Sequence, residues 1–193
     1  MLRPAEKNIH IYLESNPNPN SLKFVINEML VPEGMSFDFP TPESAADAPL
    51  ALELFQHPYV SRVFYMSNFI TVTKTEDVEW IEVQDMIKNH IRKFLESGKL
   101  ILDKKAPAAP EADEQDSEIV QKIKTILDEY IRPAVEQDGG AITYHSFQDG
   151  IVRLNLMGSC SGCPSSTITL KAGIENLFKK MMPDEVKGVE ALG

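Results

Sequence analysis

Asp103-Lys104-Lys105-Ala106-Pro107-Ala108-Ala109-Pro110-Glu111-Ala112-Asp113-Glu114-Gln115-Asp116-Ser117 divides a chain of 193 residues into two parts. The stretch holds prolines, alanines and an acidic run, with no aromatic and no large aliphatic side chain. It has nothing with which to build a core. Proline stiffness and the mutual repulsion of Glu111, Asp113, Glu114 and Asp116 favour a solvated, extended linker. The expectation is two small α+β domains, residues 1–102 and 118–193, joined by a flexible acidic, Pro/Ala-containing linker at 103–117.

Working back from the linker, Ile9, Ile11 and Leu13 alternate with polar residues. A turn-rich run, Ser15-Asn16-Pro17-Asn18-Pro19-Asn20-Ser21, precedes Leu22-Lys23-Phe24-Val25-Ile26. That pattern predicts strand, turn, strand. The proline-rich run from Phe37 to Pro49 leads into a short helix over 50–55. This helix stops at Gln56-His57-Pro58, because proline excludes the residue before it from the helical region. Val60–Tyr65, a Ser67-Asn68 turn and Phe69–Thr73 predict a hairpin. Trp80, Ile87, Ile91 and Phe94 or Leu95 then mark one face of a helix that ends at Gly98.

On the far side of the linker, Ile119, Ile123, Ile126 and Tyr130 form a helical stripe that Arg132-Pro133 is expected to end. Asp138-Gly139-Gly140 supplies a turn that needs small residues. Residues 141–147 and 151–157 flank Asp149-Gly150 as a hairpin. Leu170, Ile174, Leu177 and Met181 mark a second helix running to Pro183, with a short strand or tail after Val186. The Met181-Met182 pair reads as core.

Composition narrows the function classes. Acidic residues outnumber basic ones 29 to 19, for a net charge of -10, which gives no footprint for a phosphate backbone, so no nucleic-acid partner is expected. No apolar run is long enough for a membrane span. The two cysteines sit in one Cys-x-x-Cys, so no secretory disulfide framework exists. Met1-Leu2-Arg3-Pro4-Ala5-Glu6-Lys7 has neither the apolar core of a signal peptide nor the Arg/Ser-rich, acid-poor character of a transit peptide. A cytoplasmic location is the expectation.

The chemistry concentrates in Gly158-Ser159-Cys160-Ser161-Gly162-Cys163-Pro164-Ser165-Ser166-Thr167, between a strand and a helix. Two residues of spacing turn the sulfurs of Cys160 and Cys163 toward one point. Pro164 suits a first helical turn, and Ser165, Ser166 and Thr167 can accept from its free amides. The positive end of that helix is expected to favour thiolate, the metal-binding form. Iron–sulfur clusters take four thiolates and structural zinc takes four ligands, but one chain offers two. A two-fold dimer supplies four at its axis. His145 reads as an exposed strand residue, and His10, His57 and His90 read as scattered. No acid–base pair, nucleophile triad or nucleotide loop appears, so no enzymatic activity is expected.

The run Gly158–Lys171, with Arg132-Pro133-Ala134 and Asp138-Gly139-Gly140 before it and Gly173-Ile174-Glu175 after it, resembles the C-terminal domain of NifU and Nfu-type proteins. Asn16-Pro17-Asn18-Pro19-Asn20-Ser21-Leu22-Lys23-Phe24, the Pro49-Leu50-Ala51 helix start and Phe69–Lys74 resemble the N-terminal domain that accompanies it in Nfu proteins. The resemblance implies an iron–sulfur cluster carrier or scaffold. Two chains would hold a labile 4Fe-4S cluster through Cys160 and Cys163, with 2Fe-2S as the alternative, and pass it to apo iron–sulfur client proteins after loading from an upstream donor. It also implies that the first domain contacts partner proteins. Segment 1–102 has no cysteine, so neither cysteine-bearing domain of the longer NifU architecture lies within it. Against the carrier stand a dithiol oxidoreductase using the same pair, zinc held across a dimer, inert thiols in a helix cap, and an adaptor whose thiols are incidental.

Overall fold

The computed structural model describes residues 8–103, 117–161 and 164–192, with the side chains of residues 164–166 outside that description. Cys163 and residues 104–116 of the expected linker thus lie outside the described residues. The chain forms two compact units, Met1–Ala109 and Pro110–Gly193, and each is α+β as the sequence predicts.

The first unit is a five-stranded antiparallel sheet built from β1 (Ile11–Ser15), β2 (Ser21–Ile26), β3 (Ser36–Phe39), β4 (Val60–Met66) and β5 (Phe69–Lys74), in the order β1-β2-β5-β4-β3. Register places Phe24 opposite Ile70 and Ile70 opposite Tyr65. With a period of two, these residues share one face with Leu22, Ile26, Val63 and Val72. Against that face pack α1 (Pro49–Leu54), through Leu50 and Leu54, and α2 (Trp80–Glu96), through Val83, Ile87, Ile91 and Phe94. Pro49 opens α1 where its missing N–H costs nothing. The Glu82 carboxylate accepts from Glu79 N at 3.3 Å, which holds the start of α2. The hairpin turn falls at Ser67-Asn68 as expected, with Ser67 at φ 46°.

One element was not read from the sequence. Ser36–Phe39 forms an edge strand that overlaps the start of the proline-rich run, and Pro40 follows it directly without interrupting it.

The second unit opens with α3 (Glu118–Ile126), whose cap Ser117 Oγ accepts from Val120 N at 3.3 Å. The helix does not stop before Pro133. It widens into a π-type turn over Leu127–Ile131 and resumes as α4 (Arg132–Gln137). The wider turn changes the face that points inward. Leu127 and Ile131 are buried, whereas Tyr130, placed on the core stripe by a uniform period, is exposed. Pro133 sits in the first turn of α4, directly after the wide turn, and the helical path continues through it.

β6 (Gly140–Gln148) and β7 (Ile151–Gly158) make the expected hairpin, with Asp149 at φ 54° and Gly150 at φ 83°. α5 (Pro164–Met181) then returns the chain to β8 (Gly188–Leu192), which adds to β7 in parallel, giving the sheet order β6-β7-β8. Ile123, Ile126, Leu127, Val135, Ile142, Val152, Leu154, Ile174, Phe178, Met182 and Val189 form the core. Met182 is core, as its pairing with Met181 suggested. No helix among the described residues is long and apolar enough to cross a membrane.

Candidate functional site

Cys160 is placed by four pieces of local chemistry. β7 ends at Gly158, whose φ of 64° turns the chain sharply out of the strand. Ser161 N then donates to Gly158 O at 3.2 Å, closing a tight turn around Cys160. From the far side of the hairpin, the Asp138-Gly139-Gly140 turn grips the same loop. Ser159 Oγ donates to Asp138 O at 2.6 Å, and Ser159 N donates to Gly139 O at 3.3 Å. The first turn of α5 contributes as well, since Thr167 Oγ1 donates to Cys160 O at 3.2 Å. Thr167 was expected to cap helix amides, but its hydroxyl instead holds the cysteine's own carbonyl.

Gly140 explains why the two glycines of that turn are there. A Cβ at this position would stand 2.8 Å from Cys160 Sγ and 2.7 Å from Met157 O. The sulfur lies directly over glycine backbone, a cradle that any side chain would fill. Gly139, with φ 81°, completes the turn that brings this bare backbone under the thiol.

Cys160 is 7% exposed and belongs to the core cluster of the second unit. Burial pushes its thiol up to about 11, Ser159 lowers it in part, and the charge of Asp138 raises it. This corrects the expectation of a thiolate favoured by the helix start. Desolvation of the buried sulfur is the first cause of the shift. In the metal-free protein Cys160 is therefore a protonated thiol at neutral pH. It is a free cysteine. Ser161 Oγ is buried with no hydrogen-bond partner among the described residues.

The histidines divide differently from the sequence reading. His145 is exposed, as expected. The register slips between Tyr144 and Ser146, so His145 is the extra residue of a bulge, with Nδ1 3.1 Å from Ser146 Oγ. His10 is also exposed. His57 and His90, which the sequence left scattered, are in contact: His57 Nε2 lies 2.9 Å from His90 Nδ1. Pro58 ends α1 and so leaves His57 in the loop before β4, while His90 projects from α2. A separation of 33 residues hid the pair, and no periodicity could have revealed it. Among the described residues no group of three or more histidine, cysteine, aspartate and glutamate side chains converges as a metal site.

The two units match known families in the same order. Residues 11–98 match the model described as "Scaffold protein Nfu/NifU N terminal", and residues 123–190 match the NifU-like domain. The chain is 45% identical over 181 residues to the human "NFU1 iron-sulfur cluster scaffold homolog, mitochondrial", covering 93% of this chain and 70% of that protein. It is 45% identical over 189 residues to "NifU-like protein 4, mitochondrial" of Arabidopsis thaliana, covering 95% of this chain and 66% of that one. The chain thus spans about two thirds of the length of these relatives. A NifU-like protein from Saccharomyces cerevisiae, solved in solution by NMR, aligns with 54% of this chain and 93% of its own at 27% identity and a TM-score of 0.47. With both halves matched in order and 45% of the aligned residues identical to the human relative, the chain belongs to the Nfu/NifU family of iron–sulfur cluster scaffold proteins.

Proposed function

We propose that the protein carries a 4Fe-4S cluster, held between two copies of the chain by Cys160 and Cys163 of each, and hands it to apo iron–sulfur proteins. The observation that carries this reading is the cradle around Cys160. Gly140 leaves room for nothing but the sulfur, while Ser159 and Thr167 fix the loop that bears it. Such a loop presents a thiol in one orientation without enclosing it in a four-ligand cage. Two thiols per chain leave a cubane two short, and a symmetric second copy supplies the other two. The cluster is cargo, so 2Fe-2S remains the alternative form.

Release follows from the same arithmetic. A client that offers its own thiolates displaces Cys160 and Cys163 one at a time. Each departing cysteine is replaced by a ligand of the same kind, and protonation of the buried Cys160 thiol favours the released state. The process is an exchange and not a turnover, so no enzymatic activity is assigned. The first unit, which has no cysteine, takes the role of client contact, and residues 103–117 serve as the linker that raises the local concentration of a bound client. Loading comes from an upstream donor. The cytoplasm is the compartment assigned to the chain, although the relatives are named mitochondrial.

In the dithiol oxidoreductase reading Cys160 would not be the attacking sulfur, because attack needs thiolate and burial takes this sulfur the other way. The function is tested by transfer: cluster-loaded protein mixed with an apo client should lose its visible absorption as the client gains activity. Client maturation at the same rate with the Cys160→Ser/Cys163→Ser protein would overturn it.

A further inference from the structure

His57 and His90 face each other across the contact between α2 and the loop that follows α1. His57 Nε2 and His90 Nδ1 are 2.9 Å apart, with the two rings inclined at 68°. The outward nitrogen of each ring is also held. His90 Nε2 lies 3.0 Å from Glu53 Oε2, and His57 Nδ1 lies 3.2 Å from Tyr59 OH. Glu53 accepts in addition from Lys99 Nζ at 3.1 Å.

The proton positions follow from the acceptor at the end of the chain. The Glu53 carboxylate can only accept while it is ionised, and the bond from His90 is the first cause of its lowered pKa. Nε2 of His90 therefore carries a hydrogen, and in the neutral ring Nδ1 is then the bare nitrogen. His57 then donates from Nε2 to His90 Nδ1, and Tyr59 OH donates to His57 Nδ1. Both imidazoles are satisfied while neutral, the form that binds metals. Burial is the first cause that lowers the pKa of His57, which keeps this ring in the neutral form.

From this arrangement we infer that His57 Nε2 and His90 Nδ1 form a two-histidine site for a divalent borderline cation of the Zn2+, Co2+ or Ni2+ class, separate from the cysteine loop. Three features favour a metal site over a simple hydrogen bond. The two nitrogens already stand close to a chelating separation. Two ligands bound to one tetrahedral zinc at about 2.0–2.1 Å lie about 3.3 Å apart, so the rings need to part by only about 0.4 Å and tilt off their common line. Next, ligating histidines in metal sites donate their other N–H to a carboxylate or similar group, and Glu53 already plays that part for His90. Finally, the rings line an open cavity of about 610 Å³ together with Met86, Asn89 and Lys93, so the ion has an approach and water can fill the remaining positions.

Binding conserves protons. His57 shifts its hydrogen from Nε2 to Nδ1, where it donates to the Tyr59 oxygen as the phenolic hydrogen swings away, and each ring still carries one proton. The ion would also tie α2 to the loop before β4 across 33 residues, so it should raise the thermal stability of the first unit.

The test uses the full chain carrying Cys160→Ser and Cys163→Ser, so that the cysteine loop cannot take the ion. Zn2+ titrated by calorimetry should bind at one ion per chain. Affinity should fall at least tenfold in His57→Gln and in His90→Gln, and hold in His10→Gln and His145→Gln. Imidazole nitrogen NMR of the same parent protein covers the case in which a histidine variant fails to fold. Zn2+ should move the hydrogen of His57 from Nε2 to Nδ1 and shift His90 Nδ1, leaving His10 and His145 unchanged. Absence of stoichiometric uptake, or uptake that shifts His10 or His145 while the His57–His90 hydrogen bond persists, would overturn the site.

Discussion

A Cβ on Gly140 would stand 2.8 Å from the sulfur of Cys160, so the Asp138-Gly139-Gly140 turn and the cysteine loop are one structural object despite being twenty residues apart. Met157 O at 2.7 Å closes the other side of the same space, and a backbone oxygen cannot swing aside as a flexible side chain can. Gly140→Ala should therefore displace Cys160 or separate the ends of β6 and β7. We expect a loss of about 1–3 kcal/mol from overpacking, read by denaturant unfolding of the second unit, with a parallel fall in iron retained per chain.

Ser159 ties the same two segments by a hydrogen bond. Removing its hydroxyl in Ser159→Ala leaves Asp138 O without the 2.6 Å donor and costs about 1 kcal/mol. It also removes the interaction that lowers the Cys160 thiol, so the thiol should titrate higher than in the parent protein. A thiol-directed pH titration of both proteins checks the direction.

Cys160 should be slow to alkylate while the protein is folded and free of metal. With its titration near 11 against an ordinary value near 9, the thiolate fraction at neutral pH is about 100-fold lower than for an unperturbed cysteine. The same shift links to stability. Below pH 9 both folded and unfolded chains keep the proton. Between 9 and about 11 only the unfolded chain releases it, so stability is lost as pH rises through that window. Cys160→Ser should flatten this part of the profile. Equal alkylation rates for folded and urea-unfolded protein would contradict the burial.

Glu175 does for β8 what Gly140 does for the loop. One of its oxygens accepts from Val189 N at 3.2 Å and the other from Lys179 Nζ at 2.5 Å, and these bonds, Lys179 first, hold its carboxyl below the usual range. The contribution is present above the ordinary carboxylate pKa and lost as pH falls through the depressed value. In Glu175→Ala the Val189 amide should exchange with solvent several-fold faster at pH 7, a difference that shrinks on acidification.

Much of this was legible in the sequence, and the misses share a cause. The extended run Leu22–Ile26, the β-branched and aromatic residues of Phe69–Thr73, the Asp149-Gly150 turn and the Leu170–Met181 stripe marked their elements because each signal is local. Tyr130 was misplaced because one wide turn at Leu127–Ile131 shifts the helical phase, and sequence periodicity assumes a constant one. Pro133 was read as a stop because its effect depends on whether it falls inside a helix or at its start. Cys160 was given the wrong protonation state because burial is set by residues remote in sequence. For the same reason His57 and His90 looked unrelated until the fold placed them 2.9 Å apart.

The central claim is that Cys160 and Cys163 of two chains share one cluster. It is tested most directly by anaerobic reconstitution of the full chain with iron and sulfide, beside Cys160→Ser/Cys163→Ser. Metal and sulfide content, Mössbauer spectrum and mass in solution should be read on the same sample. We expect about four iron and four sulfide per two chains, a dimer that forms with the cluster, and loss of both in the double variant. A cluster that survives the loss of both cysteines, or zinc held in place of iron by the same thiols, would contradict the account.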